Sequence, residues 1–224
     1  MLLLLQAFFS VNSHASETVV SVDPQSIRTS LGSEITVAVC IRDVADLQLY
    51  DLALKYNGSI LNLTAVWHPD DHVFAGKSDF YPGRPNVGDT LDGNKYVLYF
   101  AYCLRSSVNV AEGVLFKMNF TVMESGETTL FIGTYDNPIR HGKYAWQVWW
   151  SYLCDSNTEE MPFTVEHGAV HVNAPITVHY IDVGQGDSIL IDTPGKDVLI
   201  DGGPDQGSST VLDYLDGLNI TRVH

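Results

Sequence analysis

Hydrophobic positions alternate along most of this chain. In Ile35-Thr-Val-Ala-Val-Cys-Ile41 the residues Ile35, Val37, Val39 and Ile41 fall on every second position, the period that lines one face of a strand. Runs rich in β-branched and aromatic residues recur at 47–56, 60–67, 96–104, 114–122, 128–134, 146–152 and 169–172. Asn57-Gly58, Asp92-Gly93, Glu112-Gly113, Ser125-Gly126 and His141-Gly142 supply turn signals between them. No stretch from residue 18 to 173 has the 3.6-residue period of an amphipathic helix. Many short strands with regular turns predict a mainly β chain built as a two-sheet sandwich over 18–173.

The pattern changes after a short linker, 174–175, where Pro175 lacks a backbone donor and biases Ala174 toward extended geometry. Thr177-Val-His-Tyr-Ile-Asp182 reads as a strand, Gly184-Gln-Gly186 as a tight turn and Ser188-Ile-Leu-Ile191 as the returning strand. Thr193-Pro-Gly195 turns into a third strand, Asp197-Val-Leu-Ile200, which ends at Asp201-Gly-Gly203. Residues 209–218 then place Val211, Leu212, Leu215 and Leu218 at helical spacing, with Asn219 as the stop.

With 224 residues there is room for one large domain, or one domain and part of another, and 45% hydrophobic against 17% charged residues describes a packed globule. A net charge of -15, with basic residues scattered singly apart from Arg140/Lys143 and Lys77/Arg84, argues against nucleic acid as a partner of this segment. Residues 1–15 read as an export signal, with Leu2, Leu3, Leu4, Leu5, Ala7, Phe8 and Phe9 as the apolar run and Ser13-His14-Ala15 as the cleavage site. No Lys or Arg precedes the run, which implies a start further upstream. The run is shorter than the ~20 residues that cross a bilayer, so the expectation is a secreted, extracellular protein and not an integral membrane one. Outside the cytosol one pair among Cys40, Cys103 and Cys154 could close, and all three pairings stay open.

Val20-Ser-Val-Asp-Pro24, Gly32-Ser-Glu-Ile-Thr-Val37, Leu47-Gln-Leu-Tyr-Asp-Leu-Ala-Leu-Lys-Tyr56, Ile60-Leu-Asn-Leu-Thr-Ala-Val66 and Gly113-Val-Leu-Phe-Lys-Met-Asn-Phe120 occur in the order found in cohesin domains. The resemblance implies a jelly-roll sandwich of the carbohydrate-binding-module type. Its implied partner is a dockerin-type module or a polysaccharide. The stretch 68–95, rich in Pro, Gly and Asp, is longer than that family would have.

Asp182-Val-Gly-Gln-Gly-Asp-Ser188 and Leu199-Ile-Asp-Gly-Gly203 resemble a second family. They are similar to the opening of metallo-β-lactamase superfamily domains, in the branch that includes the competence (DNA-uptake) proteins. By that resemblance 176–224 is the truncated N-terminal part of an αββα hydrolase domain. Asp201 would orient a metal-bound histidine, while Asp182, Gly184, Gly186, Asp187, Gly202 and Gly203 would form the rim of the site. The family's His-x-His-x-Asp-His ligands for zinc would follow His224, so this fragment would hold no metal and be inactive alone, whereas the complete domain would use Zn²⁺ to activate water.

Other glycine readings fail on their neighbours. A dinucleotide fingerprint needs a helix after the turn, but Ile189 begins a strand, and the Gly-Lys-Ser/Thr of a P-loop is absent. His68-Pro-Asp-Asp-His72 reads as a solvated loop, and Asp89 to Asn94 as a turn centred on Asp92-Gly93. Tyr144, Trp146, Trp149, Trp150 and Tyr152 read first as core packing, with sugar stacking as the functional alternative. His167, His171 and His179 share no partner in the pattern. Taken together, the residues predict an extracellular binding module fused to the start of a zinc hydrolase. The alternative is a non-catalytic adhesion protein, binding dockerin or polysaccharide, with a degenerate hydrolase domain.

Overall fold

In a computed structural model the structure is described for residues 17–141, 147–193 and 196–223. The export-signal expectation therefore lies outside the described residues, as do Tyr144, Trp146, the Pro194-Gly195 turn and His224. The strands in chain order are β1 (Val19–Asp23), β2 (Ser26–Ser30), β3 (Glu34–Leu47), β4 (Leu49–Tyr56), β5 (Leu61–Trp67), β6 (Phe80–Pro82) and β7 (Asn86–Asp89). They continue with β8 (Lys95–Cys103), β9 (Val108–Val122), β10 (Gly126–Ile132), β11 (Ile139–Arg140), β12 (Val148–Trp149), β13 (Tyr152–Cys154), β14 (Glu160–Met161), β15 (Thr164–Glu166) and β16 (Gly168–Asn173). After them come β17 (Thr177–Tyr180), β18 (Ser188–Asp192), β19 (Val198–Gly202), a 3-10 turn (Asp205–Gly207) and helix α1 (Ser208–Gly217).

Two sheets form the sandwich. The first has the order β15-β1-β3-β9-β5; the second runs β14-β13-β4-β10-β16-β2, with β8 on the other edge of β4 and β6 and β7 beyond it. Between β1 and β2 the chain crosses from one sheet to the other. β1 lies parallel to β15 and β2 parallel to β16, so both ends of the sandwich sequence close side by side.

Alternation explains the core. Val37, Val39 and Ile41 of β3 face Tyr50, Leu52 and Leu54 of β4 and Val97 of β8, all at 1% exposure or less. The outward residues of the first sheet are polar, as in the Thr36–Asn119 hydrogen bond of 2.7 Å between β3 and β9. β9 carries an extra residue: its register steps from Val39↔Phe116 to Cys40↔Val114. Leu115, left over by the step, is turned inward.

Two local expectations are corrected. Glu112-Gly113 is not a turn; β9 runs through it, because the 72–74 segment crosses there, with Val73 N–H bonded to Val114 C=O at 2.9 Å. Glycine is needed because a Cβ at residue 113 would meet Val73 Cγ1 at 2.7 Å. The long 68–95 stretch adds β6 and β7 to the edge of β8. All three cysteines are free thiols: Cys40 lies in the first sheet, and Cys103 and Cys154 lie in the second on opposite faces.

Residues 176–223 form β17-β18-β19, an antiparallel sheet with α1 on one face. The strands and helix occur where the pattern places them. The buried stripe of α1 is narrower than predicted: Val211 and Leu215 pack with Ile181, Val183 and Leu190, while Leu212 and Leu218 are exposed. The other face of this sheet is apolar throughout. Val178, Tyr180, Ile189, Ile191, Val198 and Ile200 share it by register, and Tyr180 is 79% exposed. Among the described residues no helix is long and apolar enough to cross a membrane.

Candidate binding face and glycine-rich rim

The two glycine motifs meet. Asp182 Oδ1 accepts the Gly184 N–H at 3.0 Å, and Asp201 Oδ1 accepts the Gly203 N–H at 2.9 Å, the same side-chain-to-backbone turn used twice. Asp201 itself has a left-handed φ of 59°, and Gly184, Gly186 and Gly203 have φ of 81°, 99° and 70°. Gly203 has a second reason to be glycine, because a Cβ there would lie 2.7 Å from Val183 Cγ2. Gly207 also packs on Val183, and Gly186 approaches Pro204, so Val183 is the contact point of the two loops.

Gly202 pairs with Ser188 across β18 and β19. Ser188 is 3% exposed and its Oγ has no hydrogen-bond partner. Asp187 is exposed on the same turn. Asp201 and the six residues expected at the rim thus lie in two adjoining segments, 182–187 and the end of β19 with Gly203, but Asp182 and Asp201 each direct a carboxylate oxygen at their own backbone. Among the described residues no three His, Cys, Asp or Glu side chains form a metal-holding group.

The 68–72 loop is solvated at Asp70 and Asp71, as predicted, but not at its histidines. His68 Nε2 lies 2.6 Å from the Tyr50 hydroxyl and Nδ1 lies 2.9 Å from that of Tyr99. Tyr50 gives its one proton to Leu115 C=O at 3.1 Å, so it accepts from Nε2–H, and Tyr99 donates to Nδ1. The arrangement suits a neutral imidazole at His68. Burial and the neighbouring His72 push its pKa down to about 4. His72 and Phe80 pack beside it, with ring centroids 5.1 Å away. The cluster pins the long insert to the core.

His167, His171 and His179 have separate partners. The His167 Nδ1 accepts the Ile132 N–H at 3.2 Å, His171 is 2.9 Å from Glu127, and His179 is 3.0 Å from the Tyr214 hydroxyl. Asp92-Gly93 forms the expected turn, with the Thr90 hydroxyl bonded to Asp92.

The second sandwich sheet has an outer face unlike the first. β8 is apolar at both parities: Val97, Tyr99, Ala101 and Cys103 point inward, leaving Tyr96, Leu98, Phe100 and Tyr102 outside. Half of this face is covered. Ile139 of β11 and Trp149 of β12 pack on Ala53, Tyr96, Leu98 and Phe131, and His141 stacks on Trp149 at 4.4 Å. Trp149 therefore fits the packing expectation, while Trp150 is partly exposed and meets Tyr135 edge-on.

Among the described residues nothing covers the other half. Tyr81, Phe100 and Tyr102 cluster there, with centroid separations of 5.1 Å for Tyr81–Tyr102 and 6.4 Å for each other pair. In the next row, Tyr152, Asp51 and Phe100 stand opposite one another across β13, β4 and β8. Asp51 Oδ1 is buried without a hydrogen-bond partner, and burial raises the carboxyl pKa against the bond from Tyr152. Apart from Tyr152, none of these residues stood out in the sequence. The available signal was the double-parity apolar run of β8, which marks a strand covered on both faces or open to a partner.

No family model matches the chain, and no curated protein matches it. Among solved structures, it is similar to a non-cellulosomal cohesin from the archaeon Archaeoglobus fulgidus, at 14% identity and TM-score 0.49, over 70% of this chain and 91% of that one. It is also similar to the sixth cohesin of Acetivibrio cellulolyticus scaffoldin B, solved with a mutant dockerin, at 17% identity and TM-score 0.48, over 70% of this chain and 100% of that one. A further likeness is to the CaCohA2 module of Clostridium acetobutylicum, at 16% identity and TM-score 0.47, over 70% of this chain and 90% of that one.

Proposed function

We propose that this chain is an extracellular, non-catalytic binding module whose working surface is the open half of the second sandwich sheet. The observation that carries it is the outward cluster of Tyr81, Phe100 and Tyr102 beside Asp51 and Tyr152. A soluble domain normally faces water with polar residues, as the first sheet does at Thr36 and Asn119. One exposed and several half-buried aromatic rings around one desolvated acceptor are the composition of a recognition surface. The test is a screen of the whole chain and its Tyr102→Glu variant against dockerin modules and a glycan array. The reading predicts a ligand that the variant loses; ligands retained by the variant, or no ligand in either screen, would overturn it.

A second reading is favoured by the meeting of the two glycine motifs at Val183. In it, residues 176–223 open a metal-dependent hydrolase domain, with Asp201 behind the site, and zinc bound by histidines beyond this sequence. Extending the chain through a His-x-His-x-Asp-His motif should give stoichiometric zinc by elemental analysis. An extension with that motif and no bound zinc would dispose of this reading.

A further inference from the structure

We infer that the open aromatic face binds a neutral polysaccharide, with Tyr81, Phe100 and Tyr102 taking the apolar faces of the sugar rings and Asp51 accepting from their hydroxyls. The inference rests on the binding-module reading and names the ligand class for that same surface. Three features of the face select it.

The rings come first. Phe100 and Tyr102 are inclined by 10°, Tyr81 and Phe100 by 23°, and Tyr81 and Tyr102 by 31°. Near-parallel rings at these separations are offset from each other, so each keeps part of a face uncovered. Tyr81 is half exposed. The backbone holds the cluster in place. Gly83 N–H bonds to Phe100 C=O at 3.0 Å, and a Cβ at residue 83 would meet that oxygen at 2.2 Å and the Phe100 ring at 3.0 Å. A sugar ring with equatorial substituents has an apolar C–H face, and burying it against an aromatic ring uses the hydrophobic effect without requiring charge.

The second feature is the acceptor. Among the described residues Asp51 Oδ1 has no protein donor, although most buried polar atoms have one. Sugar hydroxyls around the rim of a stacked ring are donors of the kind that it lacks. The carboxyl stands between Tyr152 and Phe100 in one row across three strands.

Charge and size narrow the ligand. Among the described residues no Lys or Arg is paired with Asp51; Lys55, at the far end of β4, is bonded to Asp92 at 2.9 Å, and Arg84, next to Gly83, is exposed at the edge of the cluster. An anionic or sulfated glycan would meet Asp51 and a chain of net charge -15. From β6 through β8 and β4 to β13 the row crosses three strand spacings, about 14 Å at ~4.8 Å each, more than one sugar ring occupies. The ligand is therefore a chain of sugars and not a monosaccharide.

The test uses the whole chain in affinity electrophoresis through gels containing a β-linked glucan, a xylan or a polygalacturonate, with calorimetry on matched oligosaccharides. Retardation is expected in a neutral gel and not in the polygalacturonate gel, with longer oligosaccharides binding more tightly than dimers. Phe100→Ala and Tyr81→Ala should each weaken binding about tenfold. Tyr81→Phe should retain it, and melting curves should show each variant folded. Equal binding by Tyr81→Ala, or retardation by the acidic glycan alone, would overturn the inference. Binding of a dockerin module, abolished by Tyr102→Glu with no neutral glycan bound, would overturn the sugar assignment and leave the binding-module reading standing. Absence of every ligand would overturn both.

Discussion

The sandwich and residues 176–223 solve the problem of burying a sheet to different extents. In the sandwich, two sheets cover each other, and large side chains such as Tyr50, Phe74, Phe116 and Phe120 are almost wholly removed from water. In the smaller unit, one helix covers one face with Val211 and Leu215, and the opposite face leaves Val178, Tyr180 and Ile200 exposed. Stability should therefore concentrate in the sandwich. Exposed apolar surface also differs in kind: aromatic rings around an acceptor on the sandwich, uniform aliphatic residues plus one tyrosine on the smaller sheet. The first suits a ligand with polar edges, while the second resembles an unfinished core.

The largest effect should come from Phe120→Ala, which removes a fully buried ring packed edge-on against Tyr56 at 5.0 Å. About 3–5 kcal/mol should be lost in urea unfolding, with the sandwich as the part that unfolds. Leu190→Ala should cost about 2–5 kcal/mol within the smaller unit. Hydrogen exchange should then show 176–223 losing protection while β3, β4 and β9 keep theirs; a sandwich destabilised equally would mean that the two parts unfold as one. Gly203→Ala combines a left-handed φ with a 2.7 Å clash on Val183, and about 1–3 kcal/mol should be lost from the same unit by the same readout.

A smaller effect depends on pH. His68 stays neutral in the folded chain down to about pH 4, against an ordinary value of 6.5. Above pH 6.5 both states hold it neutral and it contributes no pH dependence. Between about 6.5 and 4 the unfolded chain takes up a proton that the folded chain does not, so stability falls as pH falls. The imidazole is partly exposed, which limits the loss to about 1–2 kcal/mol. His68→Gln keeps one donor and one acceptor for the two tyrosines and should flatten the urea midpoint between pH 7.5 and 4.5; an unchanged slope would remove His68 from the account. Smallest of all, Ile200→Lys on the bare face should alter stability by no more than about 0.5 kcal/mol while lowering binding of a hydrophobic dye.

What could be read from the sequence was set by local period and turn chemistry. Ile35, Val37, Val39 and Ile41 alternate and are all buried, and Gly184 and Gly186 take the positive φ their turn requires. Residues whose role depends on distant chain were harder to read. Gly113 looks like a turn until Val73 crosses it, and His68 looks solvated until Tyr50 and Tyr99 close on its ring. The open face was hidden for the same reason. Phe100 and Leu98 have the same parity on β8, and only the packing of Ile139 and Trp149 covers one and leaves the other beside Tyr81. The two Asp-x-Gly turns were legible because their chemistry is local.

The central claim is that recognition belongs to the sandwich face and not to the glycine-rich rim. Calorimetric titration of a neutral oligosaccharide into the wild-type chain, Phe100→Ala and Asp201→Asn tests it directly. The account predicts about a tenfold loss for Phe100→Ala and unchanged affinity for Asp201→Asn. Loss with Asp201→Asn and full affinity with Phe100→Ala would contradict it.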